Sequence, residues 1–263
     1  MSKIRHSPRL DRPVLLARMS LYRFAALTLL DPEADAWRVL RQLREEAVLS
    51  GAASLITELP AADVQSLAPG ERPLSDLQPT QGLACLPETS ATLNGEFEDT
   101  FGLLVSKACP PHETEYIGSK FSFQRSNALA DVSGFYRAFG LTTSAMQRER
   151  PDHIVQELEL LAFLICHELN AGEQNQPGWQ QRAEICHDAQ VRFLGDHLAW
   201  WAPAFAKLLG REACGEFYPE AGRFLAALIP VDRGLLGVDP PARHAEPSLV
   251  EVQEQCEGCE LAG

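Results

Sequence analysis

Apolar residues recur every three to four positions along most of the chain, and the strict alternation of a half-buried strand is nearly absent. Leu15, Met19, Tyr22, Ala26 and Leu29 fall on one helical face and predict a first amphipathic helix. A second helix is expected from Asp31-Pro32, a capping acid followed by a proline at the first helical position. It carries Trp37, Leu40, Leu43 and Ala47 and stops near Gly51, with "AASLITEL" able to continue as another short helix. Residues 68–82, "APGERPLSDLQPTQG", read as a loop or linker, which hints at a smaller amino-terminal part. "PETSATLNGEFEDTFGLLV" reads as a helix, and the paired prolines of "SKACPPHETEY" impose an extended segment after it. Further helices are expected over 122–140, 151–171, 178–209 and 211–229. Their ends are set by Gly140, Gly172, Gly210 and Pro230, with a kink at Pro203. The expected architecture is all-α: a single helical bundle over residues 1–229, then a mobile, acidic, proline-rich tail over 230–263. Removal of the chain after Pro230 is expected to leave the bundle folded.

Composition narrows the function classes. The chain has 263 residues, 45% hydrophobic and 22% charged, so it can bury a proper core and disorder is not expected. A formal net charge of −13 argues against nucleic acid and against an anionic membrane as partner, while favouring basic peptides. The seven cysteines are odd in number and sit mostly in apolar patterns, as reduced cytosolic thiols do. The amino terminus places a basic stretch before an apolar one, but Arg18 and Arg23 interrupt the run and no cleavage pattern follows. The expectation is a protein that stays in the cytoplasm, with no stable membrane insertion.

Candidate chemistry centres on "QRERPDHIVQELELLAFLICHEL", residues 147–169. Pro151 suits a first helical position, and Asp152 in the first turn would face the exposed amides of the helix end. That accounts for both residues without any function and leaves His153 open. His153 and Glu157 are four residues apart and could share a metal, yet a catalytic zinc normally takes three protein ligands. His153 and His167 would lie about 21 Å apart on one straight helix, so they cannot ligate one ion. "ICHEL" and "ICHDA" could bring Cys166, His167, Cys186 and His187 onto neighbouring helices, but adjacent residues diverge by about 100° around a helix axis. Cys256 and Cys259 in "CEGC" have ligand or redox spacing but no second pair. Cys109, His112 and Glu113 lie on one rigid proline segment, which fixes no reacting geometry. There is no phosphate loop, dinucleotide fingerprint or serine elbow. No cofactor, metal or catalytic residue is expected.

Several segments resemble, in order, the TorD/DmsD/NarJ family of cytoplasmic chaperones for molybdenum-containing oxidoreductases. "ERPDHI" (149–154) resembles its Glu-Pro-x-Asp-His signature with Arg150 inserted, and "LADVSGFYRAFGL" (129–141) resembles the preceding helix. "FEDTF" (97–101) is similar to an aromatic-x-x-Leu-Phe motif with Thr100 in place of leucine. "PPHETEY" (110–116) is similar to the segment that follows it, and "FLGDHLAWWAPAF" (193–205) to the late helix bearing His-Leu and a tryptophan. The resemblance implies a TorD-like all-α fold without its own cofactor. It also implies a non-enzymatic role: binding the apo catalytic subunit of a molybdenum-cofactor oxidoreductase, or its twin-arginine signal peptide, before export. A peptide with two arginines and an apolar stretch calls for carboxylates beside aromatics. Here Glu149 and Asp152 would supply the first, and Phe135, Tyr136 and Phe139 the second. Asp152 and His153, supported by Glu149, Pro151, Tyr136 and Phe135, are the expected client contacts. Whether the protein is a monomer or a dimer is left open. The alternatives are a metal-dependent helical enzyme using His153 and Glu157, and an adaptor whose Cys256/Cys259 tail senses metal or redox state.

Overall fold

The computed structural model describes residues 9–102, 108–118, 122–141, 150–173, 177–242 and 245, the side chains of 122, 172 and 173 excepted. Among them the chain is all-α: α1 (Arg12–Leu29), α2 (Ala36–Arg44), α3 (Val48–Thr57), α4 (Pro79–Ala84), α5 (Ser90–Phe101), α6 (Ser122–Ala138), α7 (Ile154–Glu173), α8 (Trp179–Phe193), α9 (Ala199–Glu212) and α10 (Phe217–Leu236). No helix among these residues is long and apolar enough to cross a membrane. The tail beyond Ala245 lies outside the described residues, and with it Cys256 and Cys259.

The long apolar run of residues 154–171 becomes the central helix because it is covered on nearly every side. Leu158, Leu161, Leu164 and Ile165 are fully buried, with α1 on one flank and α8 on another. α9 and α10 form a second close pair. Gly222 makes their approach possible, since a Cβ there would stand 2.8 Å from the carbonyl oxygen of Ala206.

Several helix ends differ from the sequence expectation, each for a readable reason. Asp31 does cap, accepting the Glu33 amide, but it starts only a short 3-10 turn before α2. Gly51 lies inside α3, and the 68–82 segment holds a 3-10 turn and the start of α4. α7 continues through Gly172 and α9 through Gly210. The expected helix over 178–209 is α8, a π turn at Leu194–Leu198, and α9, with Pro203 inside α9.

The largest correction is at Pro230, which does not end a helix but sits inside α10. Proline removes the amide that would bond the carbonyl four residues back. That carbonyl belongs to Ala226, and the Arg72 amide takes it at 2.9 Å. Once the orphaned acceptor is satisfied from the 68–72 loop, α10 runs on to Leu236. There Gly237 at φ 65° closes a Schellman end, with the Val238 amide bonding the Arg233 carbonyl at 2.8 Å. The proposed 229/230 boundary therefore falls within a helix. The added turn carries Arg233, whose guanidinium donates to both carboxylate oxygens of Glu71 at 2.8 and 2.6 Å.

Arg18, a break in the apolar run when read as sequence, is 1% exposed in the core. It donates to Asp232 at 2.5 and 3.0 Å and to Gln190 at 2.9 Å, while the Tyr22 hydroxyl donates to Asp232 at 2.7 Å. Gln190 in turn donates to Glu168 at 2.7 Å. The network joins α1, α7, α8 and α10, and its charges are tolerated because they are paired and hydrogen-bonded.

Candidate functional site

The 108–118 segment and the turn before α7 are built against each other. His112 and His153 form an isolated antiparallel bridge. The Ile154 amide bonds Pro111 O at 2.8 Å and the Glu113 amide bonds Asp152 O at 2.9 Å. The paired prolines keep residues 110–111 extended, so this short ladder can form without a sheet.

That ladder changes the reading of "RPDH". Pro151 is not the first helical residue: residues 150–153 form a turn closed by His153 N–H to Arg150 O at 3.0 Å, and α7 begins at Ile154. The helix cap is His153, whose Nδ1 accepts the Val155 amide at 3.2 Å. Burial, then the neighbouring His112, pulls the His153 pKa down to about 3, consistent with a neutral ring accepting at Nδ1. His112 meets that ring edge to face, centroids 5.1 Å apart.

Asp152 does not line the surface as expected but is 0% exposed. Its carboxylate accepts the Thr114 hydroxyl at 2.8 Å, the Thr114 amide at 3.2 Å, and the Arg150 guanidinium at 3.0 and 2.7 Å. Its charge is thus spent inside the protein, and what reaches solvent is Arg150, with a side chain 44% exposed. Glu149 lies outside the described residues. Pro151 is partly exposed, and its carbonyl accepts the Tyr136 hydroxyl at 3.3 Å. Burial, then Glu157, raises the Tyr136 phenol above its ordinary range, keeping it a donor. Phe135 packs edge-on against Phe193 and His197, at 5.1 and 5.6 Å. The structure thus brings Tyr136, Pro151, Asp152 and His153 together at one turn, while Phe135 packs away from it on Phe193 and His197.

Beneath the turn lies a polar layer whose members the sequence offered singly, Glu113 beside Cys109 and His112 and Glu157 beside His153, but did not join. Glu113 is 0% exposed, accepts the Trp200 indole N–H at 2.6 Å, and lies 3.1 Å from His197 Nδ1. Glu157, also fully buried, accepts the Trp201 indole N–H at 3.0 Å, and its other carboxyl oxygen has no hydrogen-bond partner among the described residues. Burial, with Glu113 next, pushes the Glu157 pKa well up, which favours its neutral form. The signal available in sequence was the Trp-Trp pair three residues after His197 in an apolar helix. Indole N–H groups buried there need acceptors, but nothing local says which.

The arrangement offers little to catalysis or metal binding. Among the described residues no group of three His, Cys, Asp or Glu could hold a metal. His153 spends Nδ1 on its helix cap, and Glu157 turns one carboxyl oxygen to the Trp201 indole. Burial pushes the Cys109 thiol up to about 12, which disfavours the thiolate. The two "ICH" fragments lie on the neighbouring helices α7 and α8, but their histidines take different partners. His167 lies on Phe163 at 4.1 Å, whereas His187 faces Glu168 at 3.7 Å.

The chain is similar in sequence to several known proteins. The chain is 36% identical over 162 residues to a selenate reductase assembly chaperone of Thauera selenatis, covering 61% of this chain and 79% of that one. It is 35% identical over 122 residues to a chlorate reductase assembly chaperone of Ideonella dechloratans, covering 46% and 59%. A chaperone protein TorD of Aliivibrio salmonicida is 25% identical over 140 residues, covering 53% and 62%. The family model described as nitrate reductase delta subunit matches residues 71–207, a span holding the 108–118 segment, the 150–153 turn, the π turn and both tryptophans. This chain therefore belongs to the nitrate reductase delta subunit family.

Proposed function

We propose that this protein is an assembly chaperone that holds the apo catalytic subunit of a molybdenum-cofactor oxidoreductase in the cytoplasm until its cofactor is inserted. The observation that carries the reading is the similarity to the selenate reductase assembly chaperone over most of that protein's length. The relatives are named as assembly chaperones rather than as enzymes. The site fits a holding role, since Asp152 and His153 are spent on packing one turn.

The client contact is the rim of that turn: Arg150, Pro151, the edge of His153, and Tyr136 with Phe135 beside it. Asp152 acts from beneath, holding the rim in shape. Glu149 and the acidic surface, with a net charge of −13, would attract a basic client segment such as a twin-arginine signal peptide.

The test is affinity capture from the native cell extract with the full chain, followed by identification of co-purifying proteins. A large reductase subunit lacking its pterin cofactor is the expected partner. Capture of no oxidoreductase subunit under any growth condition that induces such enzymes would overturn the reading.

A further inference from the structure

α6 covers more of the site than it buries of itself. Of its described side chains only Val132 is fully buried; Ala128, Phe135 and Tyr136, and Phe139 just beyond its end, pack partly buried against the core. Ala128, Val132, Phe135 and Phe139 form one helical row, and Phe135 of that row lies on Phe193 and His197.

Three of its polar contacts fasten the helix to its neighbours. Arg125 donates to the Ile117 carbonyl at 2.9 and 2.8 Å, and the Tyr136 hydroxyl reaches Pro151 O at 3.3 Å. The third is the Asp131 carboxylate, 3.5 Å from His197 Nε2. His197 is the joint between layers, because its Nδ1 faces the buried carboxylate of Glu113 while Nε2 faces Asp131, whose side chain is 69% exposed.

We propose that α6 is a clasp fastened through Asp131, His197 and Glu113, and that its release uncovers an apolar surface around Phe193 which receives an apolar helical segment of the client. This rests on the client-holding reading above. The occupant is inferred from what fills the surface now: a helix presenting small and aromatic residues at four-, three- and four-residue spacing. A client helix with that spacing can replace it without remodelling the layer below.

Hydrogen exchange read by mass spectrometry tests the clasp on the full chain without a client. Asp131→Lys should make α6 amides exchange about two- to fivefold faster, as loss of a partly exposed polar contact implies, and should raise the fluorescence of anilinonaphthalene sulfonate. Asp131→Glu should behave like the natural protein, and His197→Gln should loosen α6 as Asp131→Lys does. In each variant α1 and α10 should keep their protection. Unchanged α6 exchange in Asp131→Lys, or loosening of the whole bundle with it, overturns the clasp. In a captured complex with a reductase subunit, α6 should lose protection; protection retained there overturns the proposed occupant. Because the first readouts need no client, the clasp and the client-holding reading fail separately.

Discussion

Asp152 and Thr114, 38 residues apart in the chain, are joined twice: the Asp152 carboxylate accepts both the hydroxyl and the backbone amide of Thr114, at 2.8 and 3.2 Å. The pair closes the turn before α7 onto the 108–118 segment. Asp152→Ala leaves buried donors on Thr114 unsatisfied and should cost about 1–3 kcal/mol. Urea unfolding checks the cost, and far-UV circular dichroism should show the helices intact. If the turn's rim is the client contact, capture of the reductase subunit should weaken in the same variant.

His153 makes stability depend on pH. Its native pKa lies near 3 against an ordinary 6.5, so as pH falls below 6.5 the unfolded chain takes up a proton that the native state refuses. Its contribution to stability is complete above 6.5 and declines toward pH 3, with a slope of up to about 1.4 kcal/mol per pH unit. Asn caps a helix without titrating. His153→Asn should therefore show a shallower acid decline than the natural chain when both are unfolded in urea across that range.

Glu157 works in the opposite sense. Its raised pKa means that the native state keeps a proton the unfolded chain has lost above 4.5, so stability falls as pH rises through the gap. Glu157→Gln preserves an acceptor for the Trp201 indole and removes the charge. The variant should unfold at higher denaturant concentration than the natural protein at pH 8, with the advantage shrinking toward pH 4.5. A less stable variant at pH 8 would show that the group is ionised in the native state.

Arg18 and Asp232 test the core network. Arg18→Met strands the Asp232 carboxylate in the core and should cost about 3–5 kcal/mol. Arg18→Met with Asp232→Asn removes both charges and should recover part of that loss. A double-mutant cycle by thermal unfolding gives the coupling.

The carboxy-terminal boundary can be tested by truncation. Ending the chain after Pro230 deletes Arg233, the partner of buried Glu71, and the Schellman end at Gly237, so it should yield an unstable protein. Ending it after Ala245 retains both and should unfold with a midpoint close to that of the full chain. Limited proteolysis distinguishes the two products.

The helices were legible because their causes are local. Apolar spacing at three and four residues gave α1, and Gly140 at φ 69° marked an end that needs a left-handed residue, whereas Gly102 at φ 71°, which ends α5, lay inside the helix expected over 87–105. The motif order also placed Tyr136, Pro151, Asp152 and His153 together, as the structure does. Only tertiary structure decided what those residues do. Asp152 is buried because Thr114 and Arg150 satisfy its oxygens, Pro230 is helical because Arg72 reaches the carbonyl it orphans, and Arg18 is core because Asp232 lies opposite, 214 residues away. A lone polar residue in sequence shows its need for a partner. Whether that need is met by solvent, by a client or from within depends on long-range packing, which no local pattern encodes.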